Sequence, residues 1–251
     1  MNKLTAIIPA GNEKNNIEAA IASVNFADEI LVVDSNSTDG TYDIAIEKAD
    51  KVIRRDYENS ASQKNWAIPQ AKYEWILLID ADERVTPELK EEVLNILQES
   101  NPEHVAYWIG RKNHFMGEQV RYSGWRNDKV IRLFKRDFCK YEDKRVHSEI
   151  ISNGSVGKLQ NKLYHNSYIS LDTYIEKMNR YAWLQAQDYD KKTGILTPYH
   201  FIVKPLWRFF KHYIIQLGFL DGLVGFTIAW IQIYVVFMRY VKIWLLRKSR
   251  K

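Results

Sequence analysis

Asp80, Asp82 and Glu83 stand together in the segment "LLIDADE", directly after the apolar run Leu77, Leu78, Ile79. Burial draws the run inward, while three carboxylates within four positions draw its end toward water. Two aspartates one residue apart suit a divalent cation. Mg2+ and Mn2+ take oxygen ligands, and Mg2+ is commonly held by one or two carboxylates together with phosphate oxygens. Two earlier apolar runs also end in polar clusters. One is "PAGNE", with Pro9, Ala10, Asn12 and Glu13; the other is "DSNSTDGT", with Asp34, Ser35, Ser37 and Asp39. Each alone reads as a polar turn or a helix cap. On neighbouring parallel strands, all three would meet at one sheet edge.

The elements that would position them alternate. Residues 4–9, 30–34, 51–54 and 75–80 are short, rich in Ile, Val and Leu, and lack polar alternation, as strands covered on both faces do. Helical patterns fill 15–24, 41–49, 62–71 and 87–99. In the last, Thr86 is the expected N-cap, Pro87 the first helical residue, and Leu89, Val93, Ile96 and Leu97 the apolar stripe. Alternation of this kind predicts an α/β fold with a mostly parallel sheet flanked by helices, whose ligands bind beyond the carboxyl ends of the strands. Strand patterns at 105–110, 129–134 and 145–151 have few helices between them and predict an antiparallel extension. A helix is expected over 171–191, with Tyr174, Met178, Tyr181 and Leu184 as its packing stripe.

Hydrophobic residues make up 46% of the 251 and charged residues 27%, which argues against disorder. The single cysteine, Cys139, excludes an internal disulfide, suits a reducing compartment and reads as a buried small hydrophobe. Residues 4–10 form too short an apolar run for a secretory signal. Charge is uneven. Residues 198–251 hold nine Lys and Arg against one acid, Asp221, so this tail carries +8 and leaves −3 on the rest of a chain whose total is +5. Aromatic residues such as Trp207, Phe210, Trp230 and Trp244 alternate with the basic ones, and 223–238 has no formal charge. That run is marginal for a span, which takes about 17–25 apolar residues. A helical, basic-aromatic segment lying on an anionic membrane surface is expected, ahead of a span or a homo-oligomer face. The expected division is a catalytic domain over 1–197, with 1–115 and 116–197 as its two parts, and the appended segment 198–251.

The stretches "AIIPAGNEKNNIEAAIASV", "EILVVDSNSTDGT" and "WILLIDADE" resemble family 2 glycosyltransferases of the GT-A fold. The later stretches "RVHSEI", "LYHNSYIS", "KMNRYAWLQA" and "KPLWRFFKHYIIQLGFLDGLVGF" resemble a bacterial subgroup that adds sugars, often glucose, to the inner core of lipopolysaccharide or lipooligosaccharide. The resemblance implies a UDP-sugar donor and a lipid-linked saccharide acceptor on the inner face of the cell membrane. Pro9, Ala10, Asn12 and Glu13 would line the nucleotide site, and Asp34 would bond the uracil edge. Ser35, Ser37 and Asp39 would surround the nucleoside, with Gln63, Lys64 and Asn65 approaching the nucleotide. Asp80 would face the ribose or the metal, Ala81 would line the nucleotide-sugar site, and Asp82, with Asp80, would ligate Mn2+ or Mg2+. Family members often carry an aromatic where Gly11 stands, so this chain lacks that stacking partner.

Inverting transfer needs a carboxylate to take the acceptor proton. Asp128, in "WRNDKVIRLF", is the first candidate, and Glu149, in "VHSEI" beside His147, the second. Where the subgroup has His followed directly by Glu, this chain inserts Ser148. His165 is expected to be a satisfied histidine near a strand end; the resemblance implies a place near the active site, without assigned chemistry. Two other functions fit parts of the chain. A sugar-phosphate nucleotidyltransferase shares such a sheet but prefers a glycine-rich first loop, and "AGNEKN" has only Gly11. A nucleic-acid-binding protein would use the aromatic, basic tail, but the long apolar runs there suit lipid better, so no nucleic acid is expected.

Overall fold

The computed structural model describes residues 2–143, 148–168 and 170–250. Two compact units emerge, one of Met1–Lys112 with Asp128–His165, the other of Asn113–Asn127 with Asn166–Lys251.

The first unit opens with β1 (Leu4–Ala10), α1 (Ile17–Ser23), β2 (Glu29–Asp34), α2 (Thr41–Lys48), β3 (Lys51–Arg54), α3 (Ser60–Ala67) and β4 (Trp75–Leu78). In chain order there follow β5 (Glu83–Arg84), α4 (Pro87–Gln98), β6 (Ala106–Phe115), β7 (Glu118–Gln119), β8 (Lys129–Lys135), β9 (Cys139–Tyr141), β10 (Ile150–Ser152) and β11 (Val156–Tyr168), of which β7 and the ends of β6 and β11 fall in the second unit. The main sheet runs β3-β2-β1-β4-β8-β6-β11-β5, with β7 paired to the end of β6, and β9 and β10 form a separate hairpin. Strands β3, β2, β1 and β4 are parallel, with Ala10 opposite Asp34 and Ile7 opposite Leu78. From β4 onward the pairing turns antiparallel, Leu77 opposite Leu133.

Continuous apolar runs form these strands because both sheet faces are covered. Ile8, Val32 and Leu77 belong to the core that holds Ile17 of α1 and Leu89 of α4. The intervening Ile7, Val33 and Leu78 belong to the core that holds Ala61 and Ala67 of α3. Helix α4 begins as expected: the Thr86 hydroxyl accepts from the Leu89 amide at 3.3 Å, and Leu89, Val93, Ile96 and Leu97 are buried. Helix α3 starts two residues earlier than its apolar pattern, because the Asn59 side chain caps it, accepting from the Ser62 amide at 2.9 Å. Strand β11 escapes an apolar-run search. Only Gly157, Leu159 and Leu163 are buried in its alternating first half, the mark of a half-exposed strand. Of the strand expected over 145–151, the hairpin strand Ile150–Ser152 is present, and 144–147 lie outside the described residues. Cys139 is buried and free.

The second unit contains α5 (Leu171–Asp190), α6 (Lys204–Phe210) and α7 (Gly222–Lys248). Wider helical turns extend α6 on both sides, over Tyr199–Val203 and Lys211–Ile215. The fully buried stripe of α5 is Tyr174, Met178, Ala182 and Ala186; of the expected stripe, Tyr174 and Met178 are buried, Tyr181 packs partly buried against the same cluster, and Leu184 is half-buried. It meets Ile228, Val235, Val236 and Tyr240 of α7. By packing, α5 thus goes with the C-terminal helices, whereas the sequence placed it in the preceding domain. At the start of α7, Gly225 admits the Gly218 carbonyl to within 1.8 Å of where a Cβ would stand, so any side chain there forces the turn open. Asp221, the tail's one acid, accepts hydrogen bonds from the Arg121 and Tyr122 amides and the Ser123 hydroxyl, each at 2.9 Å.

Candidate active site

The parallel pairing of β2, β1 and β4 carries the three polar clusters to one edge of the first unit's sheet. The loops after β1 and β2 are laced together. The Asn12 amide donates to Ser37 Oγ at 2.9 Å, and Asn12 Oδ1 accepts from the Thr38 amide at 2.9 Å. The Lys14 amide donates to Asp39 Oδ2 at 3.0 Å, and the Glu13 amide to the Thr41 hydroxyl at 2.8 Å. Asn12 takes a left-handed backbone (φ 56°), which asparagine tolerates, to turn its amide toward Ser37. Asn12, Ser37 and Asp39, expected to face a nucleoside, therefore shape the rim by holding it. The Asp39 carboxyl would be raised by what burial it has, but bonds from Thr41 and the Lys14 amide bring it below its ordinary value. Pro9 is half-buried and Ala10 buried at the end of β1, where the Ala10 carbonyl accepts from the Ser35 amide at 2.8 Å. Gly11 lies close enough to Ser35 that a Cβ would stand 3.2 Å from the serine Cβ.

Asp34 is fully buried at the end of β2. Its Oδ2 accepts from the Ser37 amide at 3.1 Å and lies 3.5 Å from Arg54 Nε, while its Oδ1 has no hydrogen-bond partner among the described residues. A buried carboxylate oxygen left unpaired is costly unless a donor arrives. The Arg54 guanidinium stacks 3.3 Å from the centre of the Tyr42 ring. Gln63 is buried and donates to Ser35 Oγ at 2.6 Å. Asn65 bonds both the carbonyl and the amide of Tyr141, at 2.9 and 2.8 Å, and so fastens α3 to β9.

At the end of β4 the acids are not loose. Lys64 Nζ lies 2.7 Å from Asp80 Oδ1, and Arg132 pairs with Asp80 Oδ2. Arg132 also reaches Glu83 Oε1 at 2.9 Å and the Tyr141 hydroxyl at 3.1 Å. Arg111 in turn reaches Glu83 at 3.3 Å and grips both oxygens of Asp128, at 2.9 and 2.8 Å. Lys64, Asp80, Arg132, Glu83, Arg111 and Asp128 thus form one chain of alternating charge. Burial alone would raise the Asp80 carboxyl, but the Arg132 and Lys64 charges and their hydrogen bonds hold it far below the usual carboxylate range. Burial would lower Arg132, and the same pairing with Asp80 and Glu83 lifts it instead. Ala81 is buried between the aspartates, its carbonyl accepting from Arg84 at 2.6 Å.

Asp82 faces differently. The two-residue β5 pairs with β11, Glu83 opposite His165, and brings His165 Nε2 to 3.5 Å from Asp82 Oδ2. Half-buried Arg84 adds positive charge beside Asp82 and Glu13. Among the described residues, no cluster of three or more His, Cys, Asp and Glu gathers for a metal. One carboxylate oxygen and one imidazole nitrogen fit part of a Mn2+ shell, leaving the other positions to ligand oxygens and water. Both Asp80 oxygens are engaged by cations, whereas Asp82 and His165 bring a carboxylate and an imidazole together at 3.5 Å.

Glu149 is exposed on the β9–β10 hairpin, its carbonyl accepting from the Glu142 amide at 2.9 Å. His147 lies outside the described residues. Sequence reasoning missed Arg111, Tyr141 and the pairing of His165 with Asp82. A cue existed for the network: Arg132 sits between Ile131 and Leu133 in an apolar strand, and a buried guanidinium requires carboxylates around it.

The sequence profile described as Glycosyl transferase family 2 matches residues 5–156. A lipopolysaccharide core biosynthesis glycosyltransferase, LpsC of Rhizobium meliloti, is 30% identical over 248 residues, covering 96% of this chain and 92% of LpsC. Among solved structures, the mannosyltransferase PcManGT of Pyrobaculum calidifontis, in complex with GDP-Man and Mn2+, superposes with a TM-score of 0.54 at 15% identity, over 96% of this chain and 86% of that one. The S. aureus TarS fragment 1–349, in complex with UDP-GlcNAc, gives 0.50 at 17% identity, over 92% and 79%. Against a longer TarS chain, this protein spans 55% of the length. These likenesses show a GT-A-like fold, and the matched profile and the LpsC likeness place the chain in glycosyltransferase family 2.

Proposed function

We propose that this glycosyltransferase is a metal-dependent inverting hexosyltransferase. It moves a sugar, glucose by the subgroup resemblance, from a UDP-sugar to a hydroxyl of a lipid-linked saccharide such as the lipopolysaccharide inner core. The work is done on the inner face of the cell membrane. The observation that carries the reading is the Asp82–His165 pair at the strand edge, beside an Asp80 already held by Lys64 and Arg132. The LpsC likeness supports the acceptor class, and the UDP-GlcNAc and Mn2+ complexes of the structural neighbours support the donor and metal.

In this reading Asp82 and His165 would hold Mn2+ or Mg2+ at the donor site. The metal supplies charge stabilisation to the departing diphosphate. The unpaired Asp34 Oδ1 accepts the imino N–H of uracil. Lys64 and Arg132 fix Asp80 at the ribose side. Asp128, with both oxygens on the Arg111 fork, is a positioning anion, because a bidentate guanidinium competes with any incoming proton. The exposed carboxylate of Glu149 then takes the acceptor hydroxyl's proton.

Calorimetric titration of UDP, UDP-glucose, UDP-GlcNAc and GDP-mannose, with Mn2+ or with EDTA, tests the reading. UDP-sugar binding should require the metal, and Asp82→Ala should abolish that requirement together with most of the affinity. Absence of nucleotide binding under every condition sinks the proposal.

A further inference from the structure

The second unit carries a surface that the transfer chemistry does not use. Helix α7 is apolar on two faces. One packs on α5 through Ile228, Val235, Val236, Tyr240 and Ile243. The other leaves Leu223 78%, Trp230 52% and Trp244 49% exposed. Their spacing of seven and fourteen residues keeps them on one side of the helix. The helical segment around α6 repeats the pattern with Leu206, Trp207 and Phe210 exposed. The stripes are neighbours, for Phe209 lies 5.8 Å from Trp230 and 6.2 Å from Phe226. A soluble helix normally turns charge outward, and a face this apolar marks a docking surface.

We infer that this face docks onto an anionic bilayer, with α7 lying in the plane of the interface rather than crossing it. The inference deepens the membrane-side reading above and is independent of the transfer chemistry. Three observations select the occupant and its geometry. The exposed charge of the tail is of one sign: Lys211 and Lys248 are exposed, the latter 5.6 Å from the Trp244 ring centre, and the tail's only acid, Asp221, is engaged by the Arg121 and Tyr122 amides and the Ser123 hydroxyl. Tryptophans flanked by lysines suit the headgroup layer. A second copy of the chain on this face would set these cations against themselves across a two-fold axis.

The third observation concerns orientation. By length and composition the helix over Gly218–Lys248 could span a membrane, with 28% of its apolar window buried. But its other face is bound to α5, which carries Asp172, Glu176, Lys177, Arg180, Asp188 and Asp190. Lys242 donates to the Asn179 carbonyl at 3.0 Å, Arg239 to Gln185 at 2.9 Å and Arg247 to Asp190 at 2.7 Å. A spanning α7 would drag those charges into hydrocarbon or break every one of these bonds, and each is costly there.

Flotation of the full chain with phosphatidylcholine vesicles, and with equimolar phosphatidylcholine and phosphatidylglycerol, tests the inference. The protein should float with the anionic vesicles, weaken in high salt and be released by alkaline carbonate. Leu223→Gln with Trp207→Gln should cost about tenfold or more in partitioning, and Lys211→Gln about fivefold. Both variants should keep the wild-type melting temperature and UDP binding. Failure to float, or equal binding to neutral vesicles, overturns the inference. So does carbonate resistance, which would mean a span, or a dimer by light scattering that Leu223→Gln dissolves, which would make the occupant a second copy. UDP binding without flotation sinks the surface and spares the transferase; flotation without UDP binding does the reverse.

Discussion

The two compact units treat charge and oil in opposite ways. The first draws Lys64, Glu83 and Arg132 into its interior and neutralises each against the next. The second leaves Leu223, Trp207 and Trp230 in the open and uses its one C-terminal acid internally. Buried charge is unforgiving, since removing one partner strands the other, whereas an exposed apolar side chain contributes little to folding. The difference separates a unit whose sequence is constrained by stability from a face whose sequence is constrained by what it touches.

The contrast breaks most sharply at Arg132. Arg132→Met should cost about 3–5 kcal/mol of stability by stranding Asp80 and Glu83, read as a lowered urea midpoint, and should abolish transfer. A loss below about 1 kcal/mol would mean that the network is decoration. Next in size is the base. Glu149→Gln should lower kcat by about a hundredfold or more with UDP affinity unchanged, while Asp128→Asn should lower kcat less and loosen Arg111. The opposite ranking would return the base to Asp128.

Acid sensitivity is the third test. A carboxyl held far below its ordinary value stabilises the fold at pH above the unfolded value, about 4, and loses that contribution as pH falls toward its folded value. The melting temperature should therefore fall below about pH 4. Asp80→Asn should flatten the slope by about 1 kcal/mol, a figure discounted for the 33% exposure of this side chain. The smallest effect belongs to the open face: Leu223→Ser, at a side chain 78% exposed, should change stability by no more than about 0.5 kcal/mol, measured without vesicles. A larger loss would make that face part of the core.

Much of this was legible beforehand. The runs before Asp34 and Asp80 named their own strands, because burial on both faces demands unbroken apolar sequence. The convergence of the three polar clusters followed from parallel pairing. What the sequence could not separate was a side chain that faces a ligand from one that ties two loops together. Asn12, Ser37 and Asp39 have the right chemistry for both, and only the loop geometry shows the lacing. His165 stayed uninterpreted because its partner is 83 positions away, joined by a two-residue strand too short to leave a pattern.

The paired bonds from Asn65 to Tyr141 have a mechanical consequence. Tyr141 also carries the hydroxyl that Arg132 reaches, and Ile150, beside Glu149, is its partner across the hairpin. Glu149 is therefore mounted on a braced arm. Any displacement of Tyr141 strains its bonds to Asn65 of α3 and to the buried Arg132 together. Amide hydrogen exchange should report this as a shared opening rate for Tyr141 and the residues of β10.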